Sequence, residues 1–156
     1  IDYDNPLENI YPEFKSFFNI YNDNIKLRKN QNIHFELGRS IVGQCGFLIS
    51  RVLFEKESFN NHFIILDSGM NNLIRPALYN ASHKIINISS SFSSIKNYNI
   101  VGPLCESSDT FAENYPLIES KRGDIISICS SGAYGESMSS NYNLREDIKS
   151  YFSDTI

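Results

Sequence analysis

Gly123-Asp124-Ile125-Ile126-Ser127-Ile128-Cys129-Ser130 reads as a β-strand, and Ser131-Gly132-Ala133-Tyr134-Gly135 breaks it with small residues around one large ring. Isoleucine favours the pleated, half-buried setting of a strand. Glycine lets a backbone pass close to something else, as it does where a loop meets a ligand. The following Glu136-Ser137-Met138-Ser139-Ser140-Asn141-Tyr142-Asn143 carries hydroxyls, amides and a second tyrosine, with almost no charge. A loop of that kind lines a site rather than covering a surface.

Working outward, the preceding residues read as further strands. Phe47–Glu55 and His62–Asp67 are strong β-runs, and His83–Ile88 is a third candidate. Ser68–Asn72 is a loop in which Asp67 and Asn71 flank Gly69 and shape a turn. Leu73–Tyr79, which contains Pro76, is irregular or a short helix. Ser89–Ser94 reads as a flexible turn. Tyr98–Val101 leads into Gly102-Pro103-Leu104-Cys105-Glu106-Ser107-Ser108-Asp109, and the loop is expected to run on to Pro116. Residues 46–143 therefore read as all-β.

The N-terminal part differs. From Asn5 to Lys29 apolar residues recur at Leu7, Ile10, Tyr11, Phe14, Phe17, Phe18 and Tyr21, close to helical spacing, with Pro6 in a first turn. Asn30–Asn32 is a turn, Ile33–Glu36 a short strand, and Leu37-Gly38-Arg39-Ser40 a polar loop. This is one helix-strand unit of an α/β layout, in which polar residues after a strand tend to be functional. The expected division is 1–45 and 46–156, and the tail from Leu144 has no decisive pattern.

With 156 residues, 41% hydrophobic and 21% charged, the chain is long enough for a real core. A net charge of −4 gives no basic patch for nucleic acid. No apolar run approaches the roughly 18 residues that span a bilayer. Cys45, Cys105 and Cys129 are odd in number and widely spaced, which fits neither a disulfide framework nor a metal site. A reducing cytoplasm is expected, with Cys45 and Cys129 simply buried. The histidines His34, His62 and His83 lack ligand spacing and read as structural or exposed. The Asn-X-Ser triplets at Asn80 and Asn87 are chance matches in an Asn-rich chain.

Five separated stretches resemble the diaminopimelate decarboxylases, pyridoxal-phosphate enzymes of the alanine-racemase-like barrel class. They are Glu36-Leu37-Gly38-Arg39, Asp67-Ser68-Gly69-Met70-Asn71, Ile74-Arg75-Pro76-Ala77-Leu78-Tyr79, Gly102-Pro103-Leu104-Cys105-Glu106-Ser107 and Gly132–Asn143. The order and spacing are those of the C-terminal part of that family. The family usually has proline where this chain has Leu37. Its Schiff-base lysine and the histidine that stacks on the cofactor lie upstream of residue 1, so no lysine here is assigned to that role. The chain opens on Ile1 rather than Met, and a piece of a longer protein, inactive by itself, is expected. The fold implied is the last helix-strand unit of a (β/α)8 barrel followed by a C-terminal β-domain.

The resemblance also implies roles. Glu36, Gly38, Arg39 and Tyr134 would bind pyridoxal phosphate. Arg39 and Arg75 would hold substrate carboxylates, for which a guanidinium fork is suited. Tyr79, four residues after Arg75 and on the same helical face, would contact substrate, as would Tyr134. Glu106 would meet the distal ammonium of a diamino-dicarboxylate, and Cys105 would deliver the proton that replaces the departing carboxylate. A homodimer with shared active sites is implied as well. Simpler roles stand beside these: a salt bridge for either arginine, a core or seam ring for the tyrosines, a solvated carboxylate for Glu106. Two other functions stay open. One is decarboxylation of ornithine, arginine or carboxynorspermidine, against which Arg75 and Glu106 together speak. The other is a non-catalytic interaction module, which has no need of Arg39, Cys105 and Tyr134 together.

Overall fold

The computed structural model describes residues 1–8 and 12–153. Six strands form one mixed sheet: β1 Leu48–Ser58, β2 Asn61–Leu66, β3 Ile85–Asn87, β4 Ile95–Val101, β5 Thr110–Ile118 and β6 Ile125–Ile128. Their spatial order is β3-β6-β1-β2-β4-β5. Every neighbouring pair is antiparallel except β2 and β4, which run parallel. Parallel strands need a long crossover, and the one between β2 and β4 carries the short helix α3 (Arg75–Tyr79) and β3.

Period-two burial decides which face turns inward. Along β1, Leu48, Ser50 and Val52 are buried while Ile49 and Arg51 are exposed. Ile64 and Leu66 of β2, Tyr98 and Ile100 of β4, Phe111 and Leu117 of β5 and Ile126 and Ile128 of β6 join them with Leu73 and Ile85 in one core. Each such side chain contributes about 1.5–3 kcal/mol when fully buried. The sheet curls so that its two edges meet: the Tyr115 hydroxyl accepts from Ile85 N at 2.9 Å and faces Ile85 O at 3.3 Å.

Several expectations change. Thr110–Ile118 is a full strand, not the tail of a loop. Pro116 is tolerated because β5 is an edge strand, and the ladder shifts register between Tyr98 and Ile100 near Asn114, whose φ is 47°. Ser89–Ser94 is pinned rather than loose. Asn87 Oδ1 accepts from Ser89 N and Ser90 N, Ser90 Oγ donates to Glu119 O, and Ser94 Oγ donates to Glu119.

The expected helix from Asn5 to Lys29 is present as α1, Phe14–Asn24, while Ile10 and Tyr11 lie outside the described residues. None of its side chains is buried. Glu13 starts it by accepting from Ser16 N at 2.7 Å. Ile33–Glu36 forms no strand, since a strand needs a paired neighbour and no described residue pairs with these. The sheet domain is present, and among the described residues no strand precedes it. Arg39–Val42 is a one-turn helix, α2.

Candidate active site

Arg75 opens α3, with Pro76 in the first turn where its missing N–H costs nothing. The helix ends on Asn80, left-handed at φ 50°, whose N–H closes on Arg75 O. One helical turn sets the Tyr79 ring 5.4 Å from the Arg75 guanidinium carbon, and the Tyr134 ring lies 5.5 Å from the same atom. Arg75 is only 9% exposed. Among the described residues no carboxylate lies within salt-bridge distance of it. A cation held against aromatic faces without a counter-ion can receive an incoming anion.

Tyr134 is placed by backbone contacts that leave no room for side chains. Ser131 N donates to Gly46 O at 2.8 Å and Gly132 N donates to Gly43 O at 3.0 Å, so the strand end packs directly on the end of α2. Tyr134 itself has φ 63°. A bulky residue in that region is strained and persists where the surroundings impose it. A methyl group on Gly38 would stand 3.9 Å from the Tyr134 hydroxyl. One tyrosine thus spans from Gly38 to Arg75, while Glu36 and Arg39, which flank Gly38, are exposed.

His83, expected to be structural or exposed, borders this cluster and is buried. It is 5% exposed, its Nδ1 lies 2.9 Å from Cys129 O, its Nε2 has no partner, and Tyr3 meets its ring edge-on. Burial holds its pKa below the usual 6.5, the Arg75 charge adds to this, and the Cys129 carbonyl opposes. With the folded value depressed, the unfolded chain binds more protons in the window below 6.5. Stability is therefore complete above 6.5 and lost as pH falls through the folded value. His83→Gln is expected to flatten the decline of melting temperature between about pH 7 and pH 5.

Cys105 and Glu106 lie on the β4–β5 loop, both exposed. That loop is closed by Asp109, 3% exposed, which the sequence reading did not single out. Asp109 Oδ2 accepts from Leu104 N at 2.7 Å, Oδ1 accepts from Met70 N at 2.6 Å, and its carbonyl accepts from Gly102 N at 2.9 Å. Burial raises the Asp109 pKa, against the two backbone donors that lower it. An acid closing a Gly-Pro loop is a turn signal that could have been read. Glu106 accepts from Ser107 N at 3.0 Å and from the Tyr142 hydroxyl at 3.3 Å.

Most of the residues named from sequence fall into two clusters, the second joined by Tyr142, while Glu36 and Arg39 are exposed outside both. Gly38, Arg75, Tyr79 and Tyr134 gather around a cation; Cys105, Glu106 and Tyr142 gather around a thiol and a carboxylate. Cys129 is buried as expected, but Cys45 is exposed, its thiol facing Val42 O at 3.0 Å. The turn packing that buries Gly43 and Gln44 leaves the side chain of Cys45 outside.

The family of pyridoxal-dependent decarboxylases, C-terminal sheet domain, matches residues 3–132. A diaminopimelate decarboxylase of Bacteroides thetaiotaomicron is 53% identical over all 156 residues, which make up 40% of that protein. The crystal structure of diaminopimelate decarboxylase from Helicobacter pylori complexed with L-lysine superposes with TM-score 0.66 and 51% identity, over 70% of this chain and 27% of that one. The enzyme of M. jannaschii in co-complex with L-lysine gives TM-score 0.72 and 37% identity, over 84% of this chain and 29% of that one. The chain therefore spans less than half the length of these relatives. With its mixed sheet and with the family match running through most of its length, the chain belongs to the pyridoxal-dependent decarboxylases, whose C-terminal sheet domain it carries.

Proposed function

We propose that these residues form the C-terminal part of an enzyme that decarboxylates meso-diaminopimelate to L-lysine and CO2, the last step of lysine synthesis. The observation that carries this reading is the buried Arg75 between Tyr79 and Tyr134, with no carboxylate in salt-bridge range among the described residues, together with the loop carboxylate of Glu106. A substrate with a carboxylate at one end of its side chain and an ammonium beside it needs both. The diaminopimelate-specific names of relatives up to 53% identical support the same substrate class.

The residues present fit pyridoxal phosphate. Gly38 lies beside the Tyr134 hydroxyl, and with Arg39 next to it in the chain this brings a hydroxyl and a cationic donor to one place, a set suited to a phosphate. Glu36, Gly38, Arg39 and Tyr134 would hold the cofactor. When bound, it takes up the electron pair left as CO2 departs. Arg75, with Arg39 and Tyr79, orients the substrate by its carboxylates. Glu106 receives the distal ammonium. The Cys105 thiol delivers a proton to the carbon that lost CO2, and its exposed position on the loop leaves it reachable.

Residues 1–45 would complete a (β/α)8 barrel supplied by the rest of the polypeptide, and 46–156 the β-domain. Apolar side chains exposed ahead of the sheet, Phe17, Ile20, Phe35 and Leu37, are surface that such a barrel would cover. A homodimer that joins the Arg75 side of one chain to the Cys105 loop of the other would complete the site. The three unpaired thiols suit a cytoplasmic enzyme. Among the described residues no helix is long and apolar enough to cross a membrane.

The test is CO2 release by the full reading frame with pyridoxal phosphate and meso-diaminopimelate, L-ornithine or L-arginine. Release from diaminopimelate alone is expected, with kcat lowered about a hundredfold or more in Cys105→Ala. Release from ornithine or arginine instead would overturn the roles of Arg75 and Glu106. No release from any substrate would favour a non-catalytic interaction module.

A further inference from the structure

A carboxylate on an exposed loop is a poor recognition group unless something restrains it. The side chain can rotate freely, and ordering it costs rotamer entropy. Glu106 is such a group: its Oε1 is held only by its neighbour Ser107. Its Oε2 is held by the Tyr142 hydroxyl, 36 residues further along the chain.

Tyr142 is in turn held by a turn of unusual construction. It begins a one-turn 3-10 helix, Tyr142–Leu144, in which Asn143 and Leu144 are both left-handed, at φ 56° and φ 58°. Two consecutive non-glycine residues in that region cost energy and require support. The support is present on both sides. Ser140 N donates to Asn71 O at 2.8 Å, and Arg145 Nη2 donates to Asp67 O at 2.7 Å. Asn141 Nδ2 ties the turn to itself through Arg145 O and Asp147 Oδ1. Asp67 is itself fixed to the sheet, accepting from Ser50 Oγ and Arg51 N. A continuous line of hydrogen bonds thus runs from β1 through Asp67 and Arg145 to the turn that aims Tyr142.

The geometry points to Tyr142 as a positioning residue that sets the Glu106 carboxylate for an ammonium group of the substrate. The inference rests on the role proposed for Glu106. The phenol serves as a donor only while protonated, and Glu106, by its hydrogen bond and its charge, holds the Tyr142 pKa above the usual tyrosine range. Donation therefore persists across the working pH range. With Oε2 occupied by Tyr142, Glu106 presents its remaining lone pairs in a fixed direction, and selectivity for a substrate with a distal ammonium follows from that direction. Asp109 fixes the loop backbone; Tyr142 fixes the side chain.

The experiment uses the full reading frame loaded with pyridoxal phosphate and compares wild type, Tyr142→Phe, Glu106→Gln and the double variant. Tyr142→Phe removes one oxygen from a side chain that is 43% exposed, so the fold tolerates it. Its KM for meso-diaminopimelate is expected to rise about five- to tenfold, the effect of losing one partly exposed hydrogen bond to a charge, with kcat changed less than twofold. The Ki of 2-aminopimelate, which has no distal amine, should not move. Glu106→Gln should raise the same KM at least as far, and the double variant should be no worse than Glu106→Gln alone. If Glu106→Gln raises KM while Tyr142→Phe does not, the inference about Tyr142 fails and the reading of Glu106 stands. Strictly additive effects, or an equal rise in the Ki of 2-aminopimelate, would also overturn it. If Glu106→Gln leaves KM unchanged, the role of Glu106 falls and takes the inference with it.

Discussion

Arg75→Met in the full-length enzyme is expected to lower kcat/KM for diaminopimelate by about 10²–10³ while leaving the melting temperature unchanged or raising it. The two halves of this result come from one fact. Arg75 is buried against Tyr79 and Tyr134 with no carboxylate beside it among the described residues. A buried cation without a counter-ion costs stability, and a methionine of similar reach relieves that cost by up to about 1 kcal/mol. The same substitution removes the group proposed to meet the substrate anion. Arg75→Lys retains the charge but loses the planar fork and the stacking between rings, and about a hundredfold loss is expected from it too. Steady-state kinetics beside a thermal melt separates these outcomes. A large drop in melting temperature with little loss of activity would show that Arg75 is a structural ion and not a substrate contact.

The second large effect is structural. Gly132→Ala is expected to destabilise the protein by about 3 kcal/mol or more and to weaken cofactor binding with it. A Cβ at Gly132 would run into Val42 O and Gly46 N, both backbone atoms, and one at Gly46 would run into Gly132 in return. Backbone cannot swing aside as a long side chain can. The seam must open, and it is the seam that holds Tyr134 beside Gly38. Gly123→Ala is the useful contrast. Gly123 is left-handed at φ 93° but a Cβ there meets nothing, so its cost is conformational only, about 1 kcal/mol. Urea unfolding, with cofactor absorbance followed in parallel, would measure both. A Gly132→Ala protein as stable as Gly123→Ala would show that the seam yields.

What could be read in advance followed the length of the signal. Four of the strands announced themselves because isoleucine, valine, leucine and phenylalanine cluster in short runs bounded by turn residues. Thr110–Ile118 did not, because Glu113, Asn114 and Pro116 look like loop, and whether a proline can sit in a strand depends on whether that strand lies at an edge. The short strand expected at Ile33–Glu36 had the right residues and no neighbour to pair with. Of the candidate site, the spacing of Arg75 and Tyr79 gave their shared face directly. The approach of Tyr134 to Arg75, 59 residues away, came from resemblance and not from pattern. Tyr142 was visible only as one more hydroxyl, since no local rule links it to a glutamate on another loop.

The place of β6 in the sheet has a consequence for how the chain comes to fold. It comes last of the six described strands in sequence, yet it lies between β3 and β1 and pairs with both. The β1–β2 hairpin and the β4–β5 pair join neighbours in sequence and can close early. Ile125–Ile128 must reach back more than 70 residues to Leu48–Arg51, and pairing over such a distance is slow. During synthesis, the open edge of β1 therefore waits for Ile125–Ile128 to emerge. Until they do, β3 has no partner and Arg75 has no Tyr134 to close over it, so the sheet and the candidate site are completed by the same late event.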